Sequence, residues 1–186
     1  MYDKRQPCVA VNAKRNIAGE KMSEVAPEKM PQRIEYDTLI DLLPHKSKMF
    51  LLSRVTQHDV KAHTITSEYD ITTDCIFYED EADGVPTWVG FEFMAQGISA
   101  LTGITNKELG RRPRPGFILS VSKFKASVPY LKNGTTIMMK IAEDYRSDMT
   151  YRYNCELYAS RTDAQPVVTS TITVMETEDI MSLFGK

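Results

Sequence analysis

Apolar positions along the chain predict one long, enclosed helix that follows a pair of strands. Residues 88–104 are apolar or small on nearly every side, which is typical of a helix surrounded by other elements. Ahead of it, the apolar run at residues 49–52, continued by Val55, predicts a buried strand, and the alternation over residues 64–71 predicts a half-exposed neighbour. These two strands form a predicted hairpin that precedes the helix.

The remaining pattern completes a sheet around that helix. β-Branched and aromatic residues predict four later strands, at residues 117–121, 137–141, 150–159 and 167–175. Apolar residues at helical spacing over residues 34–43 predict a short helix that stops before Pro44. Strands on both sides of one long helix indicate an α+β domain in which an antiparallel β-sheet wraps around that helix.

The first part of the chain differs from the rest in composition. Residues 1–32 are polar, punctuated by prolines, and never apolar for long enough to form a signal-peptide core, so we predict a flexible N-terminal arm. Residues 33–186 are predicted to form a single domain, because a chain of this length can bury one ordinary core. No stretch is apolar for long enough to cross a bilayer, so membrane insertion is not expected.

The charge balance and the cysteines indicate which ligands and which compartment are expected. Lys and Arg total 23 against 25 Asp and Glu, which argues against a general surface for nucleic acid. Cys8, Cys75 and Cys155 include no CxxC pair and no Cys/His cluster at metal-ligand spacing. We therefore expect a cytoplasmic protein without a metal site.

Glu92 is the most informative polar residue, because a carboxylate near the start of an apolar helix is costly to bury. Desolvation raises the proton affinity of a carboxylate and suits it to general acid or base chemistry, whereas the positive end of the helix dipole acts in the opposite direction. The structural alternative is that Glu92 caps the helix or pairs with an arginine at a subunit interface. The residues alone leave the two interpretations even.

Several motifs resemble the bacterial 3-hydroxyacyl-acyl carrier protein dehydratases. Leu43-Pro44-His45 and the apolar run after it are similar to the opening of that family. Glu92 and the Ala95-Gln96 pair are similar to the acid and the Ala-Gln pair of the family's central helix. The family's later strand, crossing and turn are matched by residues 118–125 and 129–134.

The resemblance spans roughly residues 34–175 and implies a hotdog fold. It also implies dehydration of 3-hydroxyacyl thioesters to trans-2-enoyl thioesters, as in fatty acid biosynthesis. The substrate is then carried on the phosphopantetheine of acyl carrier protein, and no other cofactor is expected.

One position departs from the dehydratase pattern. The family's catalytic histidine lies in a Gly-His-Phe loop ahead of the helix, and laying that pattern back from Glu92 without gaps puts Tyr78 there. No histidine occurs from Thr64 onward. The segment from Trp88 to Gln96 looks closest to the ApeP-like branch of the family, found in aryl polyene biosynthesis. Such subunits can pair with a different hotdog subunit, so a homodimer or a heterodimer is implied.

Three mechanisms remain open at the level of sequence. All three place the thioester carbonyl at backbone N–H groups near Thr87 and Trp88, as the resemblance implies. In the first, Glu92 handles the leaving hydroxyl while a histidine from a partner subunit takes the α-proton. In the second, His45 is the base, or Tyr78 assists as a hydrogen-bond donor. In the third, the site is degenerate and the chain is a non-catalytic subunit that completes a dimer.

Other helix and turn residues are candidates for supporting roles. His45 has a structural alternative, in which its ring binds a backbone carbonyl at the turn. Gln96 lies one helical turn beyond Glu92 and is a candidate for orienting its carboxylate. Phe91, Met94 and Ile98 are candidates for lining an acyl tunnel, although most such residues form core.

A basic segment after the helix is the candidate surface for the carrier protein. Arg111, Arg112 and Arg114 suit the phosphate of phosphopantetheine and the acidic surface of acyl carrier protein, although an ordinary solvated surface is the commoner case. Two rival functions are also compatible with the sequence. One is a hotdog thioesterase, which uses Glu92 and needs no histidine. The other is a non-catalytic partner subunit or carrier-protein binding module.

Overall fold

One long helix lies inside a curved sheet. The computed structural model describes residues 26–114 and 116–177. Within them, helix α1 is Tyr36–Leu42 and helix α2 is Gly90–Glu108. The strands are β1 (Ile34–Glu35), β2 (Arg54–Asp59), β3 (Thr64–Asp70), β4 (Gly84–Pro86), β5 (Gly116–Ala126), β6 (Tyr130–Lys132), β7 (Thr136–Ser147), β8 (Thr150–Tyr158) and β9 (Val168–Glu176).

Seven of these strands form one antiparallel sheet in the order β1-β2-β3-β7-β8-β9-β5, and β4 pairs with β6 in a small separate ladder. The buried side of α2, with Phe93, Met94 and Leu101 fully enclosed, packs against this sheet. Gly97 permits the close approach, because a Cβ there would lie 2.4 Å from Cδ1 of Ile141 on β7. The predicted α+β arrangement, an antiparallel sheet around one helix, is confirmed.

The predicted strand over residues 49–52 is wrong. Met49 ends a 3₁₀ turn, and the buried residues 50–52 after it belong to no strand. The Leu51 N–H donates to the side-chain oxygen of Gln96 on α2 at 2.7 Å, so this segment is bonded to the helix rather than to a neighbouring strand. The strand of the hairpin begins only at Arg54, which pairs with Glu68 on β3.

The helix boundaries also differ from the prediction. α1 begins at Tyr36 rather than Ile34, because Ile34 pairs with Val55 in the short β1–β2 ladder. A 3₁₀ turn, Thr87–Val89, precedes α2, and α2 continues to Glu108, so the basic loop starts later than the apolar pattern indicates.

The predicted N-terminal arm lies mostly outside the described residues. Of its last residues, Met30 is buried, and its N–H donates to Oε1 of Glu108 at the end of α2 at 3.1 Å. The Pro31 carbonyl lies 2.9 Å from Nε2 of His58 on β2. The packed domain therefore includes residues ahead of the predicted boundary at residue 33.

Candidate active site

Glu92 and His45 meet at the start of α2. Glu92 lies in the first turn of α2, and its side chain is 18% exposed. His45 follows Pro44 in the turn after α1, and its side chain is 30% exposed. Nε2 of His45 lies 3.8 Å from Oε1 of Glu92. The structure thus brings together the two residues that the sequence proposed for catalysis, from segments far apart in the chain.

The Gln96 side chain fixes the position of Glu92 relative to the segment after His45. Its side chain is completely buried, and its Nε2 donates to Oε1 of Glu92 and to the Met49 carbonyl, both at 2.8 Å. Its Oε1 accepts from the Leu51 N–H. Gln96 therefore orients the carboxylate one turn away and ties the segment after His45 to the helix.

The electrostatic surroundings favour a neutral His45. Burial lowers the pKa of His45 and is the largest influence on it. The Glu92 carboxylate acts to raise that pKa, and the Lys46 ammonium acts to lower it. Nδ1 of His45 is buried without a hydrogen-bond partner among the described residues. A neutral imidazole is the form that can accept a proton.

Both residues open onto a groove, which we name the α2–β5 groove. Its volume is about 630 Å³, within the range of small-molecule sites. It is bounded by the end of α1, one face of α2, the start of β5 and the end of β9. The α2 residues that line it recur at helical spacing, namely Glu92, Ala95, Ile98, Ser99, Thr102, Gly103 and Asn106. The sequence did contain this signal, since positions three and four apart share a helix face.

The other candidate substrate-binding residues lie elsewhere. Thr87 is buried and its N–H already donates to the Pro129 carbonyl at 2.9 Å, so it is not available to a thioester carbonyl. Trp88 is 56% exposed and packs edge-on against Phe77, with ring centroids 5.8 Å apart. Neither residue lines the groove.

Tyr78, the residue that the gapless family pattern aligns with a catalytic histidine, lies outside the groove. Its hydroxyl donates to Oδ1 of Asp83 at 2.6 Å, and this bond raises the pKa of Tyr78 to about 12. Tyr78 is absent from the walls of the groove. Because a gapless alignment carries no information about the loop's path, the sequence could not reveal this.

The candidates for the acyl tunnel and for carrier-protein binding do not all lie at the groove. Ile98 lines the groove, whereas Met94 is core and the half-buried Phe91 is not among the groove residues. Arg111 and Arg112 are exposed on the segment after α2, and Arg114 lies at the groove wall. The carrier-protein role of these three arginines stays a prediction.

β5 presents apolar side chains to the outside at the edge of the sheet. No strand among the described residues pairs with its outer side. Phe117, Ile118, Leu119 and Val121 have exposed fractions from 36% to 52%. A long, apolar, unpaired edge strand is typical of a surface that another chain covers. The sequence pattern did not reveal this, since a buried strand has the same composition.

The described residues show neither a metal-binding cluster nor a membrane-spanning helix. They hold no group of three or more histidine, cysteine or acidic side chains placed to bind a metal ion. None of the helices formed by residues 26–114 and 116–177 has the length and hydrophobicity needed to span a membrane.

Comparison with known sequences identifies a dehydratase family. The family model for ApeP-like proteins, described as ApeP dehydratase, matches residues 38–185. A curated relative is 3-hydroxyacyl-[acyl-carrier-protein] dehydratase FabZ of Chlamydia pneumoniae, which is 30% identical over 98 residues. That region covers 51% of this chain and 63% of the relative, so the match spans less than two thirds of the relative's own length.

Comparison with solved structures confirms the predicted hotdog fold. The dehydratase heterocomplex ApeI:P from Xenorhabdus doucetiae matches with a TM-score of 0.69 at 19% identity, over 80% of this chain and 97% of that chain. A hypothetical thioesterase from Streptococcus pneumoniae, solved with coenzyme A, matches with a TM-score of 0.51 at 10% identity, over 66% of this chain and 84% of that chain. At these identities the likeness concerns the fold alone, since one fold hosts several reactions.

Proposed function

This chain belongs to the ApeP-like dehydratase family, and from that membership we propose that it removes water from 3-hydroxyacyl thioesters to give trans-2-enoyl thioesters. The observation that carries the proposal is the contact between His45 and Glu92 at the wall of the α2–β5 groove. The reaction belongs to fatty-acid-like or aryl polyene biosynthesis.

The elimination needs removal of the α-proton and departure of the 3-hydroxyl, and one histidine can serve both steps. The neutral His45 ring takes the α-proton of the substrate through Nε2, while Glu92, 3.8 Å away, binds the 3-hydroxyl and positions it. The C–O bond breaks as the C2–C3 double bond forms. The His45 imidazolium gives the same proton to the departing hydroxyl, which leaves as water, and the neutral ring is restored. No metal or redox cofactor is required.

The substrate in this proposal is delivered by acyl carrier protein on its phosphopantetheine arm. Arg111 and Arg112 are exposed after the end of α2, and Arg114 is at the groove wall, so a phosphate and an acidic partner would meet cationic groups there. The support is the charge and position of these residues.

A second hotdog subunit, either a copy of this chain or a different protein, is proposed to cover the edge of β5. The support is the apolar outer surface of β5 and the heterocomplex formed by the solved relative. The substitution Leu119→Asp, at a side chain 52% exposed, should abolish association in sedimentation velocity. Loss of association with retained folding supports this interface, whereas unchanged association contradicts it.

A cytoplasmic location is part of the same proposal. Cys75 and Cys155 are both free thiols in the described structure, as expected in a reducing compartment.

Mass spectrometry of the acyl group tests the proposed reaction. The full chain, alone and with candidate hotdog partners, is incubated with 3-hydroxyacyl thioesters on acyl carrier protein. We expect loss of one water, and a fall in rate of about a hundredfold or more in Glu92→Gln and in His45→Asn. Glu81→Gln is the matched control, because Glu81 is exposed in a turn away from the groove.

Other outcomes separate the rival interpretations. Loss of activity in Glu92→Gln but not in His45→Asn, in the presence of a partner, would assign the base to the partner's histidine. Release of free thiol without an enoyl product would indicate a thioesterase. Partner-dependent water loss that is insensitive to both substitutions would leave this chain as a non-catalytic subunit.

A further inference from the structure

The direction of the acyl chain follows from the two points on α2 where the substrate is held. In the proposed function the phosphate of the carrier arm lies beside Arg114, at the Asn106 end of the α2–β5 groove, and C3 of the acyl group lies at Glu92. Asn106 is fourteen residues beyond Glu92, which corresponds to about 21 Å along the helix axis. The roughly sixteen bonds from that phosphate to C3 have the reach of about five extended residues, or about 18 Å. The carrier arm therefore fills this stretch, and the acyl carbons beyond C3 continue past Glu92 toward the start of α2.

Trp88 continues the line of groove residues in that direction. On α2 the groove wall recurs every three or four residues, from Asn106 through Ser99 to Glu92. Trp88 is four residues before Glu92, in the 3₁₀ turn Thr87–Val89 that runs directly into α2, and helical positions four apart share a face. It is 56% exposed and is not among the groove residues. Trp88 therefore offers a large apolar surface just beyond the Glu92 end of the groove.

Neighbouring contacts anchor this end of the site. Phe77 packs edge-on against Trp88, with ring centroids 5.8 Å apart, and Phe77 is itself partly buried against the core. Met49 is 42% exposed, and its carbonyl accepts from the same Gln96 Nε2 that donates to Glu92. An indole that is already held at one edge loses little freedom when a ligand binds, so covering its exposed part with an apolar chain favours binding.

We infer that Trp88 is the first contact of the acyl chain beyond the reacting carbons and makes the site select longer chains. The inference rests on the proposed function, because it takes C3 to lie at Glu92. Four residues separate Trp88 from Glu92, about 6 Å along the axis, and about five further carbon–carbon bonds cover that distance. A butyryl group therefore stops short of the indole, whereas a decanoyl group lies across it.

The fluorescence of Trp88 reports the inferred contact directly, because Trp88 is the single tryptophan of the chain. The full chain is titrated with the butyryl and the decanoyl thioester of phosphopantetheine, which have no 3-hydroxyl and so cannot lose water. We expect the decanoyl compound to shift the emission to shorter wavelength, because the indole is removed from water, and the butyryl compound to leave the emission unchanged. In isothermal titration calorimetry, Trp88→Ala should weaken decanoyl binding about tenfold and butyryl binding by less than about twofold.

Two further variants control for loss of an aromatic ring in general. Trp88→Phe keeps a ring next to Phe77 and should retain most of the preference for the decanoyl compound. Tyr145→Ala removes a ring of similar exposure, 50%, on β7 and outside the groove, and should leave the preference unchanged.

The outcomes separate this inference from the proposed function. Unchanged emission with the decanoyl compound, equal weakening of both compounds by Trp88→Ala, or failure of the unsubstituted chain to bind either compound overturns the role of Trp88. Water loss from 3-hydroxyacyl groups on acyl carrier protein is measured in parallel. Water loss that does not depend on Trp88 at either chain length would leave the dehydratase proposal standing without this contact. A Trp88-dependent preference for the decanoyl compound without any water loss would refute the dehydratase proposal and leave the contact standing.

Discussion

Replacement of the buried Gln96 by leucine should destabilise the fold through the backbone groups it leaves unpaired. The Leu51 N–H is fully buried, and without the Gln96 Oε1 acceptor it loses its 2.7 Å hydrogen bond, at a cost of about 2 kcal/mol. The Met49 carbonyl loses a 2.8 Å bond but is partly buried, so water replaces the donor and the cost is about 1 kcal/mol. Leucine has a similar volume, so no cavity forms.

The expected loss is therefore about 3 kcal/mol in the free energy of unfolding. In a chain of this size that loss lowers Tm by on the order of 10 °C. Urea unfolding should show a lower midpoint with an unchanged m-value, as expected when stability changes without a change in the exposed surface. Gln57→Leu is the control, because Gln57 is exposed on β2 and should change stability by less than about 0.5 kcal/mol. A loss below about 1 kcal/mol for Gln96→Leu would refute the hydrogen-bonding role assigned here.

Three further predictions concern acid stability, a buried charge and a close helix contact. Burial in the fold lowers the pKa of His45 from its unfolded value of 6.5, so the unfolded chain binds more protons and the free energy of unfolding falls as the pH drops below about 6.5. His45→Asn should remove part of this fall, which urea midpoints measured at several pH values would show. Glu68→Gln should cost about 3 kcal/mol in the free energy of unfolding, because Glu68 is 2% exposed and pairs with two arginines. Arg161→Gln should cost clearly less, since the Arg161 side chain is 54% exposed and Glu68 keeps its pair with Arg54; similar losses for both in urea unfolding would contradict this. Gly103→Ala should lower the free energy of unfolding by about 2 kcal/mol in calorimetry, because the new Cβ would lie 2.7 Å from a backbone oxygen of α1. Gly116→Ala is the control and should not change stability, since its Cβ would meet nothing closer than 3.9 Å.

The sequence predicted the central helix and the sheet around it because their signals are local. The apolar character of residues 88–104 marks an enclosed helix wherever that segment packs, and α2 lies at Gly90–Glu108. The spacing of Glu92 and Gln96 also places them on adjacent turns, and the hydrogen bond between them follows from that spacing. Residues 49–52 were predicted wrongly as a strand, because an apolar run does not reveal whether its N–H groups bond to a strand or to a helix side chain.

Local patterns in the sequence were enough to predict the helix, the alternating strands and the residue types along the face of α2. Which distant segments share that face depends on how the elements pack. His45 and Glu92 are brought together by the packing of α1 on α2, where Gly103 allows close contact. Tyr78 was directed to Asp83 instead of the groove by the fold of its loop. Contacts between residues remote in sequence depend on the packing of whole elements, whereas helical spacing depends only on near neighbours.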